Sequence, residues 1–284
     1  MMTASLAHHA PWTDRRGTLS PLRLVVFVAI LVPGIAIFAD LFFGPVRPEP
    51  YEHALNESGE WAVRLLLLSL FVTAVRRIFS WNRVIGVRRM IGVSVLAYGL
   101  LHLGLYMAQE NWDLVKVASE IVVRIYLTIG FAALLGLVAL GVTSFDRAVR
   151  RLGPAWNRLH QLAYPIAVLG ILHFFLQSKS DVAQPTIMAG LFVLLMLYRL
   201  AVRSGLQISS WWVLLACAGL AAVATSGLEY AWYALATGIP AQLVFLANFD
   251  VATSFRPAVW VGLAGAAVSL AAAGQQIWRS VRWA

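Results

Sequence analysis

Apolar residues dominate eight long segments of the chain, and each segment has about the length that a helix needs to cross a bilayer. A transmembrane helix takes about 20 mostly apolar residues. The segments with this pattern are 22–43, 61–79, 90–108, 123–142, 157–177, 184–202, 211–237 and 257–277. The pattern therefore predicts an all-α fold, a polytopic membrane helix bundle with about eight transmembrane helices.

The overall composition supports this prediction. Hydrophobic residues make up 60% of the 284 positions and charged residues only 12%, about half the share that is usual in soluble domains. The composition excludes a soluble enzyme, a nucleic-acid-binding protein and a disordered tail. Cys217 is the one cysteine, so a disulfide, an iron–sulfur cluster or a zinc–thiolate site within this chain is excluded as well.

The distribution of arginine and lysine indicates how the chain is oriented, because cytoplasmic connections carry an excess of these residues. With the N-terminus in the cytoplasm, 16 of the 22 basic residues fall on the inner side. These are Arg15, Arg16, Arg23, Arg76, Arg77, Arg83, Arg88, Arg89, Arg147, Arg150, Arg151, Arg158, Arg199, Arg203, Arg279 and Arg282. The counts predict that both termini are cytoplasmic and that the connections 44–60, 109–122 and 238–256 are outside. Residues 1–21 are then a short cytoplasmic tail.

No connection between spans is long enough for a folded soluble domain. The chain also lacks the glycine-rich loop between strand and helix that binds a dinucleotide. If the protein does redox work, its reductant must come from outside the chain.

Three of the six histidines lie within predicted spans. His8 and His9 are in the tail and His53 is in an outer connection, where a solvated side chain is the expected state. The other three histidines lie in or at the edges of spans three and five, namely His102, His160 and His173. Titratable groups inside a bilayer are costly and usually functional, so these three are candidate metal ligands.

The positions of His102 and His173 place them at a similar depth. Spans three and five run in the same direction, and His102 lies 14 residues after Arg88, about 21 Å along a helix. His173 lies 17 residues after Trp156, also in the outer half. Two facing imidazoles are what a six-coordinate bis-histidine haem requires, and other metals are disfavoured because no carboxylate or thiolate accompanies the pair.

His160 lies 13 residues before His173, about 20 Å lower and, on an ideal helix, about 140° away around the axis. Pro165 lies between them and can kink the helix. Arg88 shares a helix face with His102 and is geometrically opposite His160. It could pair with a haem propionate or act as an axial partner, whereas its alternative role is an ordinary cytoplasmic charge.

Several motifs in this order resemble one known family. They are Arg88-Arg89-Met-Ile-Gly, Leu101-His102-Leu, Arg124-Ile-Tyr-Leu-Thr-Ile-Gly130, Thr143-Ser144, Leu152-Gly-Pro-Ala-Trp156-Asn-Arg-Leu-His160 and Ile171-Leu-His173. Together they are similar to the haem-binding membrane subunits of protein-methionine-sulfoxide reductase systems, the MsrQ or YedZ family of the ferric-reductase-like transmembrane superfamily. The resemblance covers about residues 20–202.

The resemblance implies one or two haems b in a six-helix core at 22–205, within a bacterial inner membrane. His102 and His173 would bind the outer haem and His160 an inner one, with Arg88 as its possible partner. It also implies FMN as a further cofactor. Electrons would come from a cytosolic flavin reductase or the quinone pool and pass to a periplasmic molybdopterin-containing sulfoxide reductase. Residues 206–284 would then be a two-helix membrane extension that the simpler family members lack.

The sequence is also compatible with two other functions. The first is a stand-alone transmembrane ferric or quinone-linked reductase, against which the missing nucleotide-binding domain counts. The second is a proton-coupled transporter that uses the three histidines as a relay. An intramembrane cluster of Asp and Glu residues would support a transporter, but the predicted spans hold no such cluster apart from Glu229 in span seven.

Overall fold

The computed structural model describes residues 10–14, 17–45, 48–178, 181–250 and 255–283, and these residues are mainly helical. Within them the one β feature is an isolated bridge between Thr13 and Leu19. Seven of the described helices are long and apolar enough to cross a membrane. The predicted fold class, a polytopic helical bundle, is confirmed.

The long helices follow the predicted spans closely. They are α1 (Pro21–Phe43), α2 (Pro50–Ile78), α3 (Ile85–Gln109), α5 (Ile125–Val142), α8 (Ala163–Gln177), α9 (Ala183–Arg203), α10 (Trp211–Ala236) and α12 (Pro257–Trp283). The predicted span 61–79 is the C-terminal part of α2, which is not among the seven. Its apolar run is flanked by charges, with Glu60 and Arg64 at one end and Arg76 and Arg77 at the other.

The structure also has short helices that the sequence analysis did not predict. They are α4 (Leu114–Val123), α6 (Asp146–Leu152), α7 (Pro154–Leu159) and α11 (Ala241–Leu246), with 3-10 turns at Asn82–Val84, His160–Leu162 and Ala247–Phe249. Most of them lie in the connections, whereas Pro154–Leu159 and His160–Leu162 reach into or lie within the predicted span 157–177. The predicted span 123–142 begins two residues later than predicted, because Arg124 has an extended backbone that separates α4 from α5.

The predicted span 157–177 is not one ideal helix. A 3-10 turn begins at His160 and joins α7 to α8. Pro165 lies in the first turn of α8, where its missing N–H costs no helical hydrogen bond. The segment between His160 and His173 therefore departs from ideal α-helical geometry at the 3-10 turn, which ends three residues before Pro165.

One compact unit contains residues up to 69 together with 83–173. In it α3 packs against both α1 and α5. The inward face of α3 carries Val87, Ile91, Val95 and Tyr98, spaced as expected for one side of a helix. The Tyr98 hydroxyl donates a hydrogen bond of 2.7 Å to the carbonyl of Ile30 on α1, which ties the two helices together.

The second compact unit contains residues 70–82 and 174–284. Its helices α9, α10 and α12 pack against one another, and small residues such as Gly190 and Gly265 lie at the contacts. Small residues let membrane helices approach closely. The predicted core at 22–205 and extension at 206–284 stay predictions, because packing alone does not test which helices hold a cofactor.

A buried ion pair lies in this second unit. Glu229 on α10 is 1% exposed and accepts a hydrogen bond of 2.6 Å from Arg256 and one of 3.3 Å from Asn248. A carboxylate buried in this way requires such partners.

Candidate functional site

His102 and His173 face each other within the first unit, as the sequence analysis predicted. His102 lies on α3 and His173 on α8. Their ring centres are 6.1 Å apart and their planes are inclined by 87°. The two imidazoles therefore lie next to each other with nearly perpendicular planes.

The Nδ1 atom of each of these histidines forms a hydrogen bond with a backbone carbonyl of a neighbouring helix. Nδ1 of His102 lies 2.9 Å from the carbonyl oxygen of Leu55 on α2, and Nδ1 of His173 lies 2.8 Å from that of Tyr126 on α5. A carbonyl can only accept a hydrogen bond, so Nδ1 carries the proton in both rings. The Nε2 atom of each neutral ring then offers a lone pair.

The separation of the two rings fits a metal bound between them. Two metal–imidazole bonds of about 2 Å, with about 1.1 Å from each nitrogen to its ring centre, place the ring centres about 6 Å apart. The observed separation is 6.1 Å. Hydrogen bonds from Nδ1 to carbonyl groups are the usual way in which ligand histidines are oriented. These residues therefore fit two axial ligands of a haem iron.

A bare metal ion has little support in the same place. No group of three or more His, Cys, Asp or Glu side chains that could hold a metal ion occurs among the described residues. A haem supplies four equatorial nitrogens of its own and needs only two protein ligands, which is what the site offers.

A polar network lies near the C-terminal end of α3, beyond His102. Tyr106, one turn beyond His102, donates a hydrogen bond to Glu120 on α4. Arg124 pairs with Glu120 at 3.1 Å and donates to the Tyr126 hydroxyl at 3.2 Å. The hydrogen bond to Tyr126 and the nearby Glu120 carboxylate raise the pKa of Arg124, so the guanidinium stays charged.

Tyr126 also contacts His173 directly. Its ring lies against the imidazole, with ring centres 6.5 Å apart and planes inclined by 29°, while its carbonyl accepts the Nδ1 hydrogen bond. Tyr126 thus connects the polar network of Tyr106, Glu120 and Arg124 to His173.

His160 has protein partners on both ring nitrogens. Nδ1 lies 3.1 Å from the carbonyl of Trp156, and Nε2 lies 3.3 Å from the Ser144 hydroxyl. The ring stacks on the Trp156 indole, whose Nε1 donates to the Thr143 carbonyl at 2.9 Å. The structure does not bring His160 together with His102 and His173, because both of its nitrogens are turned to groups at the C-terminal end of α5 and on α7.

Arg88 lies close enough to His160 for their charges to interact. Its neighbour Arg89 pairs with Asp146 at 2.5 Å. Of the remaining histidines, His53 lies 3.6 Å from Asp40, and His8 and His9 lie outside the described residues.

The sequence analysis missed Leu55 and Tyr126. Both act through backbone carbonyls, so their side chains carry no signal of the role. In the structure each of the two hydrogen bonds spans the same separation of 47 residues.

Comparison with known proteins places this site in a family. The family model described as "Ferric reductase like transmembrane component" matches residues 58–171, which includes His102 and His160 and ends just before His173. No solved structure is similar enough to count as a match.

Several relatives share the name "Protein-methionine-sulfoxide reductase heme-binding subunit MsrQ". The one from Rhodospirillum rubrum is 42% identical over 180 residues, covering 63% of this chain and 86% of the relative. The one from Xanthomonas campestris pv. campestris strain B100 is 39% identical, with 62% and 84% covered. The one from Herminiimonas arsenicoxydans is 32% identical, with 64% and 85% covered. The chain therefore belongs to the family of the methionine-sulfoxide reductase subunit MsrQ, a ferric-reductase-like transmembrane family.

Proposed function

We propose that this chain is a membrane electron-transfer subunit that holds haem b between His102 and His173. The observation that carries the proposal is the geometry of the pair, with ring centres 6.1 Å apart and both Nδ1 atoms hydrogen-bonded to carbonyls. The names of the relatives, which describe a haem-binding subunit, support it.

In this proposal the two histidines supply the axial nitrogens, and the haem iron supplies a centre that gains and loses one electron. Leu55 and Tyr126 hold the imidazoles in the tautomer that leaves Nε2 free. Burial of a haem is one of the means by which a protein sets its potential.

The inferred orientation of the chain in the membrane would set the direction of electron transfer. We infer that both termini face the cytoplasm of a bacterial inner membrane, because inner connections would hold Arg76, Arg77, Arg83, Arg150 and Arg151. The histidine pair then lies in the outer half of the membrane. Electrons would enter from the inner side or the quinone pool and leave on the periplasmic side.

The partner follows from the relatives' name. We propose that the acceptor is a periplasmic molybdopterin-containing methionine-sulfoxide reductase, since the relatives are named as subunits of a protein-methionine-sulfoxide reductase. A cytosolic flavin reductase or a quinol would supply the electrons, and FMN would serve as a further carrier.

An inner haem at His160 is a second proposal, favoured by the position of Arg88 near that histidine. Nε2 of His160 would have to leave the Ser144 hydroxyl, to which it is only weakly bound at 3.3 Å. The Arg88 guanidinium near His160 would then be able to pair with a haem propionate.

A visible spectrum of the purified protein tests the main proposal. The reduced-minus-oxidised difference spectrum should show a b-type haem, and the haem-to-protein ratio should be one or two. A protein purified with haem available in the cell but without this signal would contradict the proposal and favour the transporter with a histidine relay.

A further inference from the structure

Each of the two facing histidines lies against a glycine of a neighbouring helix. A Cβ atom placed on Gly59 would lie 2.9 Å from both Nδ1 and Cε1 of His102. A Cβ atom placed on Gly130 would lie 2.7 Å from Nδ1 and 2.9 Å from Cε1 of His173. Real Cβ atoms essentially never approach another atom so closely, so any other residue at either position would displace the imidazole.

Each glycine lies four residues after the residue whose carbonyl accepts the hydrogen bond from the histidine. In an α-helix the carbonyl of residue i accepts the N–H of residue i+4, and the side chain of residue i+4 lies beside that carbonyl. Gly59 is four residues after Leu55, and Gly130 is four residues after Tyr126. A carbonyl oxygen has two lone pairs. The absence of a side chain at each glycine leaves the second lone pair open to the imidazole of the facing helix.

This arrangement occurs twice in the chain with the same spacing. A shift of 71 positions takes 55 to 126, 59 to 130 and 102 to 173. The first set joins α2 to α3, and the second joins α5 to α8. Two unrelated packing contacts would not share both the four-residue step and the 47-residue step, so the contact is a property of the site.

We propose that Gly59 and Gly130 are positioning residues for the two imidazoles. Each glycine admits the hydrogen bond from Nδ1 to a carbonyl, and that bond fixes the tautomer, aims Nε2 at the space between the rings and raises its basicity. The inference deepens the proposed function and rests on it.

An alanine at Gly59 or Gly130 should affect haem binding and leave folding of the chain unaffected. With haem bound, each imidazole would be held by the iron as well as by the carbonyl, so it would have no room to move away from a methyl group. Without haem the ring can rotate to another staggered conformation. An alanine at either glycine therefore weakens haem binding without preventing insertion of the chain into the membrane.

The experiment compares Gly59→Ala and Gly130→Ala in the full chain. Haem is titrated into purified apoprotein in detergent, and the midpoint potential of bound haem is measured by redox titration. We expect a haem affinity about 10- to 100-fold below that of the unmodified protein, as is typical when a partner of a ligand histidine is lost. Haem that still binds should have a more positive midpoint potential, because a less basic imidazole stabilises ferric iron less. Apoprotein unfolding temperatures should match that of the unmodified apoprotein.

Two other glycines on the histidine helices serve as matched controls. Gly104 lies on α3, where an added Cβ meets nothing within 4 Å, and Gly170 lies on α8, where the nearest atom is 3.9 Å away. Gly104→Ala and Gly170→Ala should bind haem with unchanged affinity and potential.

The outcomes distinguish this inference from the proposed function. Unchanged affinity and potential in both Gly59→Ala and Gly130→Ala would overturn the positioning role and leave the proposed function standing. Failure of both variants to accumulate in the membrane would overturn it as well, because the glycines would then serve folding. An unmodified protein that binds no haem would overturn the proposed function instead.

Discussion

The indole of Trp156 stacks on the imidazole of His160, with ring centres 3.9 Å apart and planes inclined by 25°. The indole also donates a hydrogen bond to the carbonyl of Thr143 at the end of α5, and Nε2 of the imidazole faces Ser144. The last carbonyls of a helix have no partner within the helix, so the stacked pair covers the C-terminal end of α5. His160 therefore has a structural role in addition to the proposed ligand role.

Replacing His160 separates these two roles. We expect His160→Ala to lower the haem content in part and to slow the reduction of the outer haem by a cytoplasmic donor. Without an inner carrier an electron must cross about 20 Å, the length of the 13 residues between His160 and His173. The measurement is the donor-driven rate of haem reduction. Trp156→Phe, which keeps a stacked ring but loses the bond to Thr143, is the control, and an unchanged rate in His160→Ala would make His160 purely structural.

Removing either facing histidine should abolish the outer haem. His102→Ala or His173→Ala leaves the iron with one axial nitrogen. The described residues contain no group of three or more metal-binding side chains that could bind the iron instead. The measurement is outer-haem content per protein after purification. His53→Ala is the control, because His53 pairs with Asp40 and should retain full haem content. Full occupancy in either His102→Ala or His173→Ala would contradict the assignment.

The sequence predicted the histidine pair because counting residues along two parallel helices gives their depths. It could not predict the carbonyls of Leu55 and Tyr126, since a backbone acceptor has no residue signature. The helix α4 was also missed, because ten residues are too few for a span. Asp113 caps that helix by accepting a hydrogen bond of 3.0 Å from the N–H of Lys116, a local signal that a search for long apolar segments does not detect.

The orientation of the chain can be tested with reporter fusions. A fusion after residue 115, within α4, should report the periplasm, whereas a fusion at residue 284 should report the cytoplasm. The physical reason is the concentration of arginine on the connections assigned to the inner side. A fusion after Arg151 is a control that should report the cytoplasm. Residues 115 and 284 on the same side of the membrane would mean that the number of spans between them is wrong.

Breaking the buried ion pair of the second unit should destabilise the protein strongly. Glu229→Gln leaves the Arg256 guanidinium without its carboxylate at a site where Glu229 is 1% exposed. The loss of one partner of a buried pair costs about 3–5 kcal/mol. The control is Asp146→Asn, whose pair with Arg89 is well exposed and is worth about 0–1 kcal/mol. Unfolding in detergent measures both, and equal effects would show that burial of the Glu229 pair is unimportant.

Crowding the contact of α9 with α10 and α12 should weaken the second unit without changing the haem. A Cβ atom on Gly190 would lie 2.2 Å from Oγ1 of Thr225 and 2.6 Å from Cγ2 of Val261, so Gly190→Ala must push the helices apart at a cost of about 1–3 kcal/mol. His102 and His173 belong to the other unit, and the haem spectrum should therefore be that of the unmodified protein at a lower unfolding temperature. Gly219→Ala on α10, where an added Cβ meets nothing within 4 Å, is the control. Loss of the haem signal from a folded Gly190→Ala protein would show that the second unit contributes to the haem site.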